Sequence, residues 1–446
     1  MIGAGAFVSL GAAQDLAGAL APLAVLIAAG VALCNATSTA QLAAQHPAAG
    51  GTYHYGRQQL GPWWGFLAGW CFVIGKIASC AAMALVIAAY LVPEPAQRIV
   101  AALVVVVLTV VNLVGVTRTA ALARVLVTIA LGALVLTGTR LLIGLASGGA
   151  PADGGADGGT GGGAAGGAAD GALAGVADAI PGPLAGAAAG LWDGGLAAVL
   201  GAGTGGAVGI ALAVVQAAAL MFFAFAGYAR VATLGEEVTA PRRTIPRAIL
   251  LALGVVAGLY LALSVVLVLV GPAPGEQGWG PAPFLTALES VGAGGAWNVV
   301  ITGGAVAAAS GALLALVAGI SRTALAMARE RDLPPVLAQV SPRFSVPQRA
   351  EIAAGLAVLA LVLLAADVLV AIAASAFGVL LYYAIANLAA LTQAGQWRLF
   401  PKVMQVLGLC GCVLLVAALP GRTIVAGVAL VLLGLAYRGI VLVARR

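Results

Sequence analysis

The chain has 446 residues, of which 62% are hydrophobic and 8% charged, and its mean hydropathy is +1.10. A water-soluble domain of ordinary shape cannot bury that much apolar surface, so the bilayer is its solvent and a soluble enzyme or binding module is excluded. The formal net charge is +6, yet the basic residues form no stripe and sit in short connections between apolar runs, the pattern of topology signals and not of a nucleic-acid surface.

In chain order, the first apolar piece is Met1–Ala13. At 1.5 Å per residue it covers about 20 Å of a hydrocarbon core about 30 Å thick, so it reads as the second half of a helix. Runs of spanning length follow at about 18–44, 62–92, 97–117, 120–147, 207–238, 246–271, 295–328, 350–366, 368–394, 402–419 and 422–443. No strand alternation of the kind a membrane barrel needs occurs. The expectation is an all-α membrane protein with twelve transmembrane helices, here called spans 1 to 12.

The loops then fall into two alternating sets. One holds sixteen of the 21 Lys and Arg, the other only Arg98, Arg140 and Arg422. The positive-inside rule makes the first set, and both termini, cytoplasmic in a cell membrane. Residues 148–206 are rich in Gly and Ala, carry Asp153, Asp157, Asp170 and Asp178, and lack the apolar density to fold. They read as a flexible external loop. The five cysteines (Cys34, Cys71, Cys80, Cys410, Cys412) lie in apolar runs as small core residues, and no spacing suggests a metal or cofactor.

Two spans are interrupted by glycine in corresponding places, five helices apart: Ile2-Gly3-Ala4-Gly5-Ala6-Phe7 in span 1 and Phe222-Phe223-Ala224-Phe225-Ala226-Gly227-Tyr228 in span 6. Close helix packing is one reading of such glycines. The other is a pair of inverted five-helix repeats whose broken helices expose backbone groups at the bilayer midplane. Freed N–H groups suit a carboxylate and freed carbonyls an ammonium, and an α-amino acid carries both. The expected organisation is a first repeat over 1–147, the external loop over 148–206, a second repeat over 207–394, and spans 11 and 12 over 395–446.

Three stretches carry a family resemblance: MIGAGAF at the start; AAQHPAAGGTYHYGRQQLGPWWGFLAGW from span 2 into span 3; and FFAFAGYARVATLGEEVTAPRRTIPRAI with SRTALAMARERDLPPVLAQVSPRFSVP, from span 6 past span 8. They resemble the amino acid-polyamine-organocation permease superfamily. The resemblance implies a LeuT-like 5+5 inverted repeat with broken helices 1 and 6, and a pair of extra helices that pack peripherally or dimerise. It implies that Ile2, Gly3, Ala4, Gly5 and Ala6 meet a substrate carboxylate, while Phe223, Ala224, Phe225, Ala226 and Gly227 receive the amino group and gate the pocket. Several members bear an acidic residue where this chain has Ala229, which argues against a dedicated arginine or polyamine carrier. Family sequences run upstream of the first break, so Met1 matches an internal position: either the start is mis-assigned, or span 1 is truncated at its N-terminus, in which case substrate binding is expected to be crippled.

Charge at membrane depth is costly and usually functional. Lys76 lies midway along span 3, with Gly69, Phe72, Ser79, Cys80 and Met83 on its face. It is either a proton carrier standing in for a coupling sodium ion or a static counter-charge. Arg230, one turn past the span 6 break, either contacts substrate or ties span 6 to a neighbour. Glu236, Glu237, Arg242 and Arg243 form a charged turn that reads as an inner-gate network. His46 and His54 read as loop or interface residues. The function expected is a secondary active, proton-coupled symporter of amino acids; an exchanger of amines or polyamines and a non-transporting receptor-like homologue are the alternatives. A membrane-embedded enzyme would need clustered His, Asp or Cys at depth, and the spans offer none. The partners expected are a small-molecule substrate, H+ and lipid.

Overall fold

The computed structural model of the chain describes residues 2–46, 50–114, 120–147, 206–228, 241–272, 278–341, 344, 346–365 and 367–444, without the side chains of 120–123 and 241–243. Its helices are α1 (Gly5–Ala17), α2 (Ala21–Gln45), α3 (Thr52–Leu60), α4 (Pro62–Leu91), α5 (Gln97–Leu113), α6 (Ala120–Ala146) and α7 (Ala207–Phe225). They continue with α8 (Pro241–Val270), α9 (Pro283–Ser290), α10 (Ala296–Arg329), α11 (Gln348–Leu364), α12 (Val368–Leu391), α13 (Lys402–Ala417) and α14 (Gly421–Val443). No strand occurs among the described residues. Among the described residues, eight helical segments are long and apolar enough to cross a membrane, and α5 and α13 are shorter apolar helices. Most of these helices begin and end close to the apolar runs read from the sequence. Two short helices, α3 and α9, were not expected, and residues 148–205 lie outside the description.

Helices α4 and α12 form the centre of the bundle, packed on each other, and α4 also lies along α10. Their approach depends on Gly75 and Gly378: a Cβ on Gly378 would stand 2.7 Å from the Gly75 Cα. Small residues at such crossings let backbones touch, which is how membrane helices gain dispersion energy where lipid removes the hydrophobic drive. Around this centre α1 crosses α7, α2 runs along α8, and α6 lies on α10. Large aliphatic side chains such as Leu251, Val299 and Leu433 face outward, as the apolar solvent requires. Helix α14 is the most outward-facing span. Four cysteines are buried; Cys410 departs from the expected core position and is exposed.

The polar run on α2 serves packing. Ser38 donates to Asn387 Oδ1 at 2.6 Å, Asn387 Nδ2 donates to Asn35 Oδ1 at 2.6 Å, and Cys412 completes the link to α13 through Asn35 Oδ1 at 3.4 Å. Thr37 and Thr39 bond back to their own helix at Cys34 O and Asn35 O. In hydrocarbon these groups have no water to turn to, so they fasten α2, α12 and α13 together.

Candidate functional site

Helix α1 begins at Gly5 with Ala4 as its N-cap, and its first bonds are Ala6 N–H to Gly3 O (3.2 Å) and Phe7 N–H to Ala4 O (2.9 Å). The N–H groups at a helix start have no intrahelical partner and carry partial positive charge. Across from them α7 stops at Phe225 and continues as one 3-10 turn, Ala226–Tyr228. The two segments meet at Gly5, where a Cβ would lie 2.5 Å from the Ala224 Cα. Only glycine permits this crossing.

Three other helices cap the carbonyls freed where α7 ends. Tyr260 of α8 donates to Ala224 O at 3.5 Å, and Ala226 O accepts from Lys76 Nζ of α4 at 3.3 Å and from the Tyr383 hydroxyl of α12 at 3.4 Å. All three are longer than the usual range of about 2.7–3.2 Å, so the carbonyls are held loosely. Lys76 is 3% exposed, and Ala226 O is its one hydrogen-bond acceptor among the described residues.

Lys76, Ala224 and Ala226 line a cavity of about 220 Å³. Its walls are Ile2, Gly3 and Gly5; Phe223, Ala224, Ala226 and Gly227; Lys76, Ser79 and Met83; Leu126 and Val127; and Ala307, Ala308, Gly311, Ala312, Ala315 and Leu316. At about 30 Å³ per water this is room for about seven waters, a small solute and not a drug-sized ligand of roughly 300–1,000 Å³. Lys76, Ser79 and Met83 share one face by their spacing of three and four. The alanines and glycine of α10 recur in the same way and leave the space open. Ser79 is committed elsewhere, bonded to Gly75 O at 3.0 Å and to the Ser375 hydroxyl at 2.6 Å.

The expected residues are therefore only partly brought together. Ile2, Gly3, Gly5, Lys76, Phe223, Ala224, Ala226 and Gly227 border one cavity, whereas Ala4, Ala6 and Phe225 are buried off its wall. Two helical residues after Phe223 the chain has turned by about 200°, so Phe225 packs on Tyr260 instead, ring centres 5.3 Å apart. Arg230, Glu236 and Glu237, and the side chains of Arg242 and Arg243, lie outside the described residues. Tyr383 and the small-residue wall of α10 were missed; the recurrence of Ala and Gly at four-residue steps through 303–319 was the readable signal of the wall, and Tyr383 had none.

One end of α1 is covered. Trp279 N–H donates to Asp15 Oδ1 at 2.9 Å, Tyr90 donates to Phe7 O at 2.8 Å, and Gly11 lies so close to Pro283 that a Cβ would approach its Cβ to 2.6 Å. At the other end of the bundle stands a second unforeseen group. Asp332, just past α10, is 6% exposed and pairs with Arg57 of α3 at 3.0 Å and with Arg438 of α14 at 2.9 Å, while Tyr53 donates to it at 2.9 Å. Arg57 also holds Glu330 at 2.9 Å, and the Arg438 guanidinium lies over Trp63 and Phe66. Burial, and then the charge of Asp332, push the Tyr53 phenol up from its ordinary value. His46 and His54 form an edge-to-face pair 6.0 Å apart near this group, and Gln59 reaches the His46 ring at 3.0 Å.

A small cavity between the start of one helix and the end of another, inside a bundle of membrane-length helices, fits a multi-pass membrane transporter. Residues 1–443 match the amino acid permease family, and the chain belongs to it, within the amino acid-polyamine-organocation superfamily. It is similar to an uncharacterized transporter of Mycobacterium tuberculosis, 44% identical over 444 residues that cover 99% of this chain and 88% of that one. Shorter similarities are to the vacuolar cationic amino acid transporter 4 of Arabidopsis thaliana, 34% identical over 149 residues (33% of this chain, 24% of that protein), and to a branched-chain amino acid permease of Bacillus subtilis, 34% identical over 136 residues (30% and 28%).

Proposed function

We propose that the chain is a secondary active transporter that carries amino acids across the cytoplasmic membrane, coupled to protons through Lys76. The observation that carries this reading is that Gly3 and Gly5, at the start of α1, and Ala224 and Ala226, at the end of α7, border one cavity of about 220 Å³. A carboxylate on the first and an ammonium on the second satisfy both ends of an α-amino acid without any charged side chain to bind them. Lys76 already rests on the Ala226 carbonyl, where losing and regaining a proton would alter the site directly. The amino acid substrates in the names of the Arabidopsis and Bacillus relatives agree with this reading. In it the chain holds twelve spans in two inverted five-helix repeats that rock about the cavity, with both termini cytoplasmic and α13 and α14 peripheral.

Counterflow of radiolabelled amino acids in liposomes tests the reading. The wild-type chain is expected to exchange label. A Gly3→Val variant, whose added Cβ would stand 3.2 Å from the Ala312 Cβ, is expected to remain folded and to lose most of the exchange. Absence of counterflow for all twenty amino acids, or full exchange by the variant, would sink it.

A further inference from the structure

The cavity also carries a statement about which side chains it accepts, given that it binds amino acids as proposed above. Lys76 is the one ionisable side chain on its wall among the described residues, and no described carboxylate borders it. The rest of the wall that a substrate side chain would meet is apolar: Met83, Phe223, Ala308, Gly311 and Ala312. An ammonium has three donors to satisfy, and Lys76 has one long bond to a backbone carbonyl. Among the described residues of the wall, no charged side chain offsets a second side-chain cation.

We propose that Lys76 is a charge filter, and that the substrates are amino acids with small, uncharged aliphatic side chains; lysine, arginine and diamines are rejected. A cavity of about 220 Å³ is about 7 Å across if taken as a sphere. Lysine, arginine and diamines bring a net positive charge within about that distance of the Lys76 ammonium on the wall, whereas an aliphatic amino acid is a zwitterion whose carboxylate offsets its ammonium; at an effective dielectric of about 20 the uncompensated repulsion weakens binding on the order of 100-fold. An aliphatic side chain suffers no such repulsion and fills the apolar remainder, as a preformed apolar pocket with few polar groups favours. The likeness to a cationic amino acid transporter covers 33% of this chain and does not decide the matter; the Lys76 ammonium does.

The test is a competition panel on the purified full chain, read both as counterflow of labelled alanine in liposomes and as thermal stabilisation in detergent. A variant that binds without turning over then still reports its preferences. Alanine, valine and leucine are expected to compete, and lysine, arginine and putrescine in hundredfold excess to leave the signal unchanged. Lys76→Met is expected to raise the affinity for lysine relative to alanine at least tenfold, while Lys76→Arg keeps the rejection. A static structural role would lower both affinities and leave their ratio alone, and that result overturns the filter. So does wild-type protein that takes lysine, arginine or glutamate as well as alanine. Failure of every amino acid to bind or exchange overturns the transport reading, and the filter with it.

Discussion

Asp332 and Lys76 are both nearly sealed from solvent, 6% and 3% exposed, and the chain surrounds them in opposite ways. Asp332 has two guanidiniums and a phenol, all within 3.0 Å. Lys76 has one carbonyl oxygen at 3.3 Å. A charge taken from water needs several kcal/mol of compensation, and a carboxylate with three close partners is fixed in place. An ammonium with one loose partner is left free to exchange it for a substrate atom or to give up its proton. The difference separates a fastening from the working group proposed above: Asp332 binds α3 and α14 to the end of α10, and Lys76 lies at the end of α7.

The comparison breaks most visibly at the fastening. Asp332→Asn leaves Arg438 buried beside Trp63 and Phe66 with no counter-charge, while Arg57 keeps Glu330. Losing one partner of a buried pair costs about 3–5 kcal/mol, so thermal unfolding in detergent should occur well below the wild-type temperature. Adding Arg438→Met replaces the stranded cation with an apolar side chain of similar length and should recover more than half of the loss. A single variant as stable as wild type would show that Asp332 does not hold the helices together.

At the cavity the expectation reverses. Lys76→Met removes a buried charge that lacks a described counter-ion, so stability should change by no more than about 1 kcal/mol. Proton-driven accumulation in proteoliposomes should nevertheless be lost, with exchange of label still possible. Intact proton-driven uptake would remove Lys76 from the coupling step. A loss of stability as large as that of Asp332→Asn would make it a second fastening.

Most of the apolar spans, and the helix start and helix end that meet at Gly5, were legible because each is a local property of the chain. Apolar length marks a crossing, glycine at Gly3, Gly5 and Gly227 marks an interruption, and a lone lysine in an apolar run marks a charge at depth. Helices α3 and α9, of nine and eight residues, were not legible, since neither is long enough to show a clear period. The Asp332 group escaped for a different reason. Arg57, Asp332 and Arg438 come from three distant parts of the chain, and only packing brings them together. The same holds for Tyr383, which reaches Ala226 O across 157 residues. Phe225 was assigned to the pocket because it sits in the broken motif, but direction around a helix decides contact, and its ring turns toward Tyr260.

The smallest expected effect sharpens the comparison by pH. His46 and His54 lie beside the Asp332 group, and burial pushes both imidazoles below their ordinary 6.5. For His46 the neighbouring His54 adds to this; for His54, Glu330 acts against it and Arg57 with it. A ring whose pKa is lower in the folded chain binds protons more weakly there than in the unfolded chain. The stability tied to the neutral rings is therefore whole above about pH 6.5 and is lost as pH falls below it. Both rings are half-buried, so solvent screens the effect and the drop in unfolding temperature between pH 7.5 and 5.5 should be smaller than that of Asp332→Asn. Replacing both with glutamine should flatten the slope over that interval without touching the preference among amino acids, which is set at the other region. An unchanged slope in the double variant would mean that other groups titrate, and a changed preference would mean that the two regions are coupled.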